Sequence, residues 1–336
     1  MNEPVFEANW ERLADMPIGK WEPASIVLDD KLYVLGGYES GIKSGKNLHV
    51  FDPSAAVGGV WTKLQDLPSS ITHVNLAPGD TGFWFAGGMK DMDRSREIKD
   101  HIIAEFWHFD PELDRYTAGP TLPGRRAGGG LVRFGDNLHY ISGLMEDRDT
   151  DSPDHWVFDL ASWRETGGGI WKSLAPLPLA RNQLMVTVFK EKVYVIGGQL
   201  NHDSQQLDQP NVDIYDPLTD SWSAGPSLPY GHSHSEGATF TYDNRIWMVG
   251  GHTTRDGETK GLCENILSLG EGEDEWELTY KLPRKLSSPA AKVVDGRLYV
   301  AGGFDFVRMK SGDAYWADRQ LSSAEVLVTD LPVRGK

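Results

Sequence analysis

Apolar runs of β-forming residues recur along the chain, and each stops at a glycine pair or its remnant: LYVLGG (32–37), FWFAGG (83–88), LHYISG (138–143), VYVIGG (193–198), IWMVGG (246–251) and LYVAGG (298–303). The pairs begin at residues 36, 87, 142, 197, 250 and 302, at intervals of 51, 55, 55, 53 and 52. Short apolar runs bounded by turn residues predict strands buried on both faces. Glycine suits their ends, because it reaches φ > 0 and lets another backbone come close. A period near 50 predicts a repeat architecture.

The rest of each repeat alternates in the same way. In the fourth, LMVTVF (184–189) predicts a first strand and VYVI (193–196) a second. VDIY (212–215) predicts a third, followed by the turn DPLTD, and Trp222 opens a fourth that closes at Leu228-Pro229. Asp-Pro initiates turns. LHVFDP (48–53) and FWHFDP (106–111) repeat the third strand and its turn. Trp61, Tyr116, Trp171, Trp222 and Trp276 open the last strands. These close on Leu67-Pro68, Leu122-Pro123, Leu177-Pro178, Leu228-Pro229 and Leu282-Pro283.

A glycine pair followed by spaced aromatics, such as Tyr215 and Trp222, resembles the kelch repeat, and six occurrences in register cover nearly the whole chain. The resemblance implies an all-β, six-bladed propeller with one four-stranded sheet per blade. The blades then span about 20–68, 71–123, 126–178, 181–229, 232–283 and 286–330. Repeat three departs with Ser142-Gly143, and repeat six lacks the spaced aromatics, with EVLVT (325–329) as its third strand. WERLADMP (10–17) reads like WTKLQDLP (61–68), a fourth strand without a blade, so the N-terminal strand is expected to complete the sixth blade. That would leave no open sheet edge.

A ring of six repeats occupies residues 1–336 as one domain, with no room for a second. The formal charge of −16 argues against nucleic acid or an anionic membrane as partner. One cysteine, Cys263, excludes an internal disulfide and any CxxC site. The start, MNEPVFEANWERL, has no apolar signal or spanning segment, so a cytoplasmic monomer is expected.

Ligand sites favour the mouths of such channels. Counting back from the glycine pairs gives one position per blade before each first strand: Lys20, Ile71, Arg126, Arg181, His234 and Leu286. Two residues later come Glu22, His73, Gly128, Gln183, Glu236 and Ser288. Lys20, Arg126, Arg181 and His234 could form an anion pocket, since arginine binds carboxylates bidentately. Alternatively, Arg126 and Arg181 brace neighbouring blades through backbone carbonyls. Trp21, Glu22, His73, Gln183 and His252 complete the candidate ligand-binding set.

His234 and Glu236 are the candidate catalytic pair, because imidazole and carboxylate move protons near neutral pH. His232 and His234 share a strand face, but no third metal ligand is fixed. Asp93, Glu97 and His101 fall at spacing four. They resemble the Glu-x3-Asp-x3-His iron site of the plant specifier kelch proteins, with the carboxylates swapped; otherwise they belong to a solvated charged loop. EDRDTDSPD (146–154) lacks the glycine and final acid of an EF-hand loop. The runs at 128–130 and 167–169 read as packing and turn glycines. No cofactor motif is present.

These features predict a stand-alone binding module, taking a protein segment or a small acidic or sugar ligand at the mouth through Arg126, Arg181 and His234. The rival is a cofactor-independent sugar mutarotase or epimerase. The chain is similar in size and blade number to kelch propellers acting on sialic acid. In that case Arg126 or Arg181 would hold the carboxylate, and His234 with Glu236 would move protons. Galactose-oxidase-like copper chemistry needs a Tyr–Cys crosslink, for which Cys263 has no evident partner.

Overall fold

The apolar runs form strands in the computed structural model, which describes residues 4, 6–39, 43–91, 101–202, 206–254, 261–305 and 322–331. They make six four-stranded antiparallel sheets. The fourth is typical: Met185–Phe189, Lys192–Ile196, Val212–Asp216 and Ser221–Ala224 pair in chain order. The sixth sheet joins the two ends of the chain. Ala290–Val294, Arg297–Ala301 and Val326–Asp330 are completed by Glu11–Arg12, with Glu11 opposite Val328.

The first strands lie against one another in a closed circuit. Ala24–Leu28 touches Leu76–Pro78, then follow Gly130–Phe134, Met185–Phe189, Thr239–Tyr242 and Ala290–Val294, which returns to Ala24–Leu28. The core is divided the same way, because each sheet sits between two others. Leu32 and Val34 pack with Ala301 and Val326 of the sixth sheet. Tyr33 and Leu35, on the opposite face, pack with Phe83 and Phe85 of the second. A strand buried on both faces is therefore apolar at every position, which is why these runs do not alternate.

Hydrogen bonds running round the ring explain the repeat motif. The second glycine of each pair donates to a carbonyl of the next blade: Gly37 to Ile71, Gly88 to Arg126, Gly143 to Arg181, Gly198 to His232, Gly251 to Leu286 and Gly303 to Lys20, at 2.7–3.1 Å. The first glycine lies under that same carbonyl. A Cβ on Gly250 would sit 2.6 Å from Leu286 O, and one on Gly302 equally close to Lys20 O. Ser142 is the exception, and its Oγ turns the clash into a hydrogen bond to Arg181 O (2.7 Å). Further out, the indole N–H groups of Trp171, Trp222, Trp276 and Trp10 donate to Pro120, Ala175, Pro226 and Lys281 carbonyls of the preceding blade, at 2.9–3.0 Å.

Blade three carries a feature beyond the four predicted strands. Its third strand, His155–Asp159, runs into a helix over Leu160–Thr166. Asp159 replaces the Asp-Pro turn with an N-cap, accepting from Ala161 N–H at 2.8 Å. Gly167, at φ 68°, ends the helix.

Candidate functional site

The cations gathered by the glycine count are buried and bonded. Lys20 Nζ donates to Gly36 O (2.8 Å) and stands 3.6 Å from Glu39. Burial lowers its pKa to about 8, although Glu39 pulls the other way. Arg181 is fully buried, donates to Gly197 O, Leu179 O and Val195 O, and pairs with Asp213 at 2.8 Å. Burial depresses its pKa against the pull of Asp213. Arg126 pairs with Asp154, donates to Ser152 Oγ (3.0 Å) and lies over the Trp156 ring. All three are engaged within their own blades, Lys20 and Arg181 mainly through backbone carbonyls and Arg126 through side chains, so they do not bridge neighbouring blades as the brace reading expected.

The glycine count slips by two residues in blade five. His232, not His234, bonds the carbonyl of its blade's first glycine, Gly250, at 2.6 Å. It therefore takes the place of Lys20 and Arg181. The two extra residues are absorbed in a short 3-10 turn, Glu236–Ala238, just before the first strand. Glu236 thus leaves the mouth and lines the central channel. The sequence did carry the signal. Leu177 and Gly197 are twenty residues apart, whereas Leu228 and Gly250 are twenty-two.

With the register corrected, one residue per blade shares a rare backbone conformation. Glu22, His73, Gly128, Gln183, His234 and Ser288 all have φ between 46° and 62°. They form a ring at one mouth of the channel, with their backbones linked. Gly128 N–H donates to His73 O, His234 to Gln183 O, Ser288 to His234 O, and Glu22 to Ser288 O, at 2.9–3.4 Å. Left-handed backbone costs a non-glycine residue about 1 kcal/mol or more, and five of these six are not glycine.

Their side chains converge. The Glu22 carboxylate, 6% exposed, lies 3.2 Å from His73 Nδ1 and 3.6 Å from His234 Nε2. Thr72 Oγ1 donates to Glu22 at 3.3 Å. Gln183 Nε2 lies 3.3 Å from His234 Nε2. Ser233 Oγ donates to Asp208 (2.6 Å) and lies 2.6 Å from His234 Nδ1. Ser233 has one hydroxyl proton, and Asp208 takes it, so His234 Nδ1–H is the donor in the second bond. His234 Nε2 then either accepts from Gln183 or, when protonated, faces Glu22.

A second layer covers this ring, built from residues just past the glycine pairs. Tyr38, Met89, Leu144, Gln199 and Phe304 form single bridges to Trp21, Thr72, Ala127, Asn182 and Ser287. In blade five His252 is paired with Ser233, and its ring lies 4.0 Å from that of His234. Trp21 packs between Tyr38 and Phe304, with centroids at 4.6 and 5.4 Å, and its buried Nε1–H has no partner among the described residues. His202 reaches His73 from blade four, at 5.6 Å. His202 and Asp208 had no place in the repeat alignment, because loops of unequal length carry them, and Ser233 was passed over between His232 and His234.

Asp93 and Glu97 lie outside the described residues. His101 is buried, with Arg148 Nη1 3.4 Å from its Nε2. The acidic stretch at 146–154 turns on itself, Asp147 accepting from Thr150 N–H at 2.9 Å. Among the described residues, no three His, Cys, Asp or Glu side chains are placed to hold a metal. No helix among them is long and apolar enough to cross a membrane.

Comparison with known proteins agrees with this architecture. The family described as Kelch motif matches residues 180–229. A kelch repeat-containing protein of Arabidopsis thaliana is 23% identical over 89% of this chain and 72% of its own length. Kelch-like protein 40 of mouse is 29% identical over 78% of this chain, but the match takes in 39% of that protein. For Kelch-like protein terF of Aspergillus terreus the share is 40%. The solved structure titled "Structure of YjhT" superposes with a TM-score of 0.71 at 14% identity, covering 94% of this chain and 96% of that one. By its repeats, its six sheets and these relatives, the chain belongs to the kelch-repeat β-propeller family.

Proposed function

We propose that the chain is a binding module that seats a partner segment or a small polar ligand at the mouth, against Glu22, His73 and His234. The observation that carries this reading is the Glu22 carboxylate, nearly enclosed, flanked by two imidazoles and held on left-handed backbone. Strained backbone of this kind persists where a site needs a side chain in one place. A carboxylate so placed accepts hydrogen bonds from hydroxyl, amine or guanidinium groups. Lys20, Arg126 and Arg181 are engaged elsewhere, so the preferred ligand is hydroxyl-rich or cationic rather than a sugar acid. The formal charge of −16 adds long-range attraction for a basic partner.

The chain Asp208–Ser233–His234 favours one second reading, a cofactor-independent sugar mutarotase. An imidazole oriented through one nitrogen can exchange a proton through the other. Glu22 would then replace Glu236 as its partner in ring opening.

A thermal-shift panel of neutral sugars, sugar acids and Lys/Arg peptides tests the binding reading, since ligands of the native state raise Tm by mass action. The expected result is a shift with a neutral or basic ligand that Glu22→Gln abolishes. No shift with any member, or one indifferent to Glu22→Gln, would count against it. Faster anomer exchange of a neutral sugar, lost in His234→Gln, would move the balance to the mutarotase.

A further inference from the structure

The channel behind the mouth holds a feature that neither reading uses. The six first strands line a half-open cavity of about 350 Å³. Its walls are mixed, with aliphatic residues such as Ile26, Leu131 and Val186 alternating with polar ones that include Asn75, Arg133, Glu236 and Lys292. Lys292 lies on the strand Ala290–Val294, and its Nζ donates to Gly237 O (2.9 Å) and Thr239 O (3.0 Å), beside the extra turn of blade five. The Phe240 ring lies under it at 5.8 Å. An ammonium has three donors, and two carbonyls leave one for an occupant of the channel.

We propose that the central channel is a second ligand site, which captures a small aldehyde or 2-oxo acid as an imine on Lys292. Burial lowers the Lys292 pKa to about 7, so the nucleophilic free amine is populated at neutral pH. Lys20 provides the contrast. It too is buried with a depressed pKa, but its side chain is 0% exposed and its Nζ sits between Gly36 O and Glu39. Lys292 combines a lowered pKa with a place on a cavity wall. In the reaction, Nζ attacks the carbonyl carbon, and the carbonyl oxygen leaves as water with the two amine hydrogens. A C=N bond replaces C=O, and no oxidant or reductant is required.

Reductive trapping tests this. The folded chain is incubated with glyoxylate near neutral pH, reduced with borohydride and mapped by peptide mass. The expected result is one carboxymethyl adduct on Lys292, exceeding that on any surface lysine by about tenfold or more, as the gap in pKa requires. The preference should vanish in denaturant. Lys292→Arg should lose that adduct while keeping the wild-type circular dichroism spectrum, and Lys292→Met serves if the arginine is not accommodated. Adducts spread over surface lysines, with Lys292 unmodified in the folded chain, would overturn the proposal.

Discussion

The backbone N–H of Gly303 donates to the carbonyl of Lys20 at 2.7 Å, tying the last glycine pair to the first brace. It is one of six equivalent bonds, and it crosses the seam where the two ends of the chain meet. Beside it, Glu11–Arg12 pairs with Val326–Asp330, and Met16 is buried against Ala301 and Val326. The ring is thus held at the seam by contacts of the same kind as those within it.

Removing residues 1–17 should therefore lower the unfolding midpoint of the whole ring, rather than fray one end. Met16→Ala alone should cost about 2–5 kcal/mol, the usual range for a buried methionine. Denaturant unfolding measures both. A truncated chain with wild-type stability would show that the seam strand is dispensable.

The first glycine of each pair should resist any side chain. Gly250→Ala pushes a Cβ to 2.6 Å from Leu286 O, at φ 63°. A loss of about 2 kcal/mol or more is expected from the clash and the left-handed backbone together. Ser142→Gly should behave differently, losing a hydroxyl whose single proton is shared between Arg181 O and Ser152 O but gaining backbone ease, for a net change of about 1 kcal/mol. Thermal melts of the two variants side by side make the comparison.

Arg181 should act as a structural brace. Arg181→Met leaves Asp213 without its buried partner, and a loss of about 3–5 kcal/mol is expected. Adding Asp213→Leu should restore part of it. Ligand affinity per folded molecule should stay unchanged in both variants, as titration calorimetry can show.

Acid should unfold the chain through its buried histidines. Burial, helped by its neighbour His155, pushes His139 down to about 3; burial likewise takes His155 and His49 to about 4. Unfolded imidazoles titrate near 6.5. Between these values the unfolded chain binds more protons, so this stability is present above about pH 6.5 and is lost as pH falls toward 4. Each group contributes a slope of about 1.4 kcal/mol per pH unit. Asp151, raised to about 6 by burial, works in the opposite direction and offsets part of the slope. His155→Phe should flatten the pH profile of the denaturation midpoint.

Much of the fold was legible because glycine pairs, Leu-Pro ends and strand-opening aromatics recur in register, and most of them do the same job from one blade interface to the next. The site was less legible. Lys20, Arg126 and Arg181 mark the right level of the ring, but a sequence does not say whether a cation meets a ligand or a backbone carbonyl. His234 was named, though in the wrong register, because five blades share an offset that the turn at Glu236–Ala238 breaks. The helix at Leu160–Thr166 was missed because Leu160 stands where other repeats have the proline after aspartate. Lys292 gave no signal at all. It occupies an ordinary strand position, and only closure of the ring turns that position into a channel wall.

The most direct test of the mouth as the recognition site compares two affinities. The strongest stabiliser from the thermal-shift panel is titrated by calorimetry into wild type, Glu22→Gln and Arg126→Lys. Loss of about tenfold or more in Glu22→Gln, with Arg126→Lys unchanged, is the expected result, since a charge-assisted hydrogen bond is worth about 1.5–3 kcal/mol. A ligand that binds Glu22→Gln as tightly as wild type but fails with folded Arg126→Lys would contradict it and return the cations to the site.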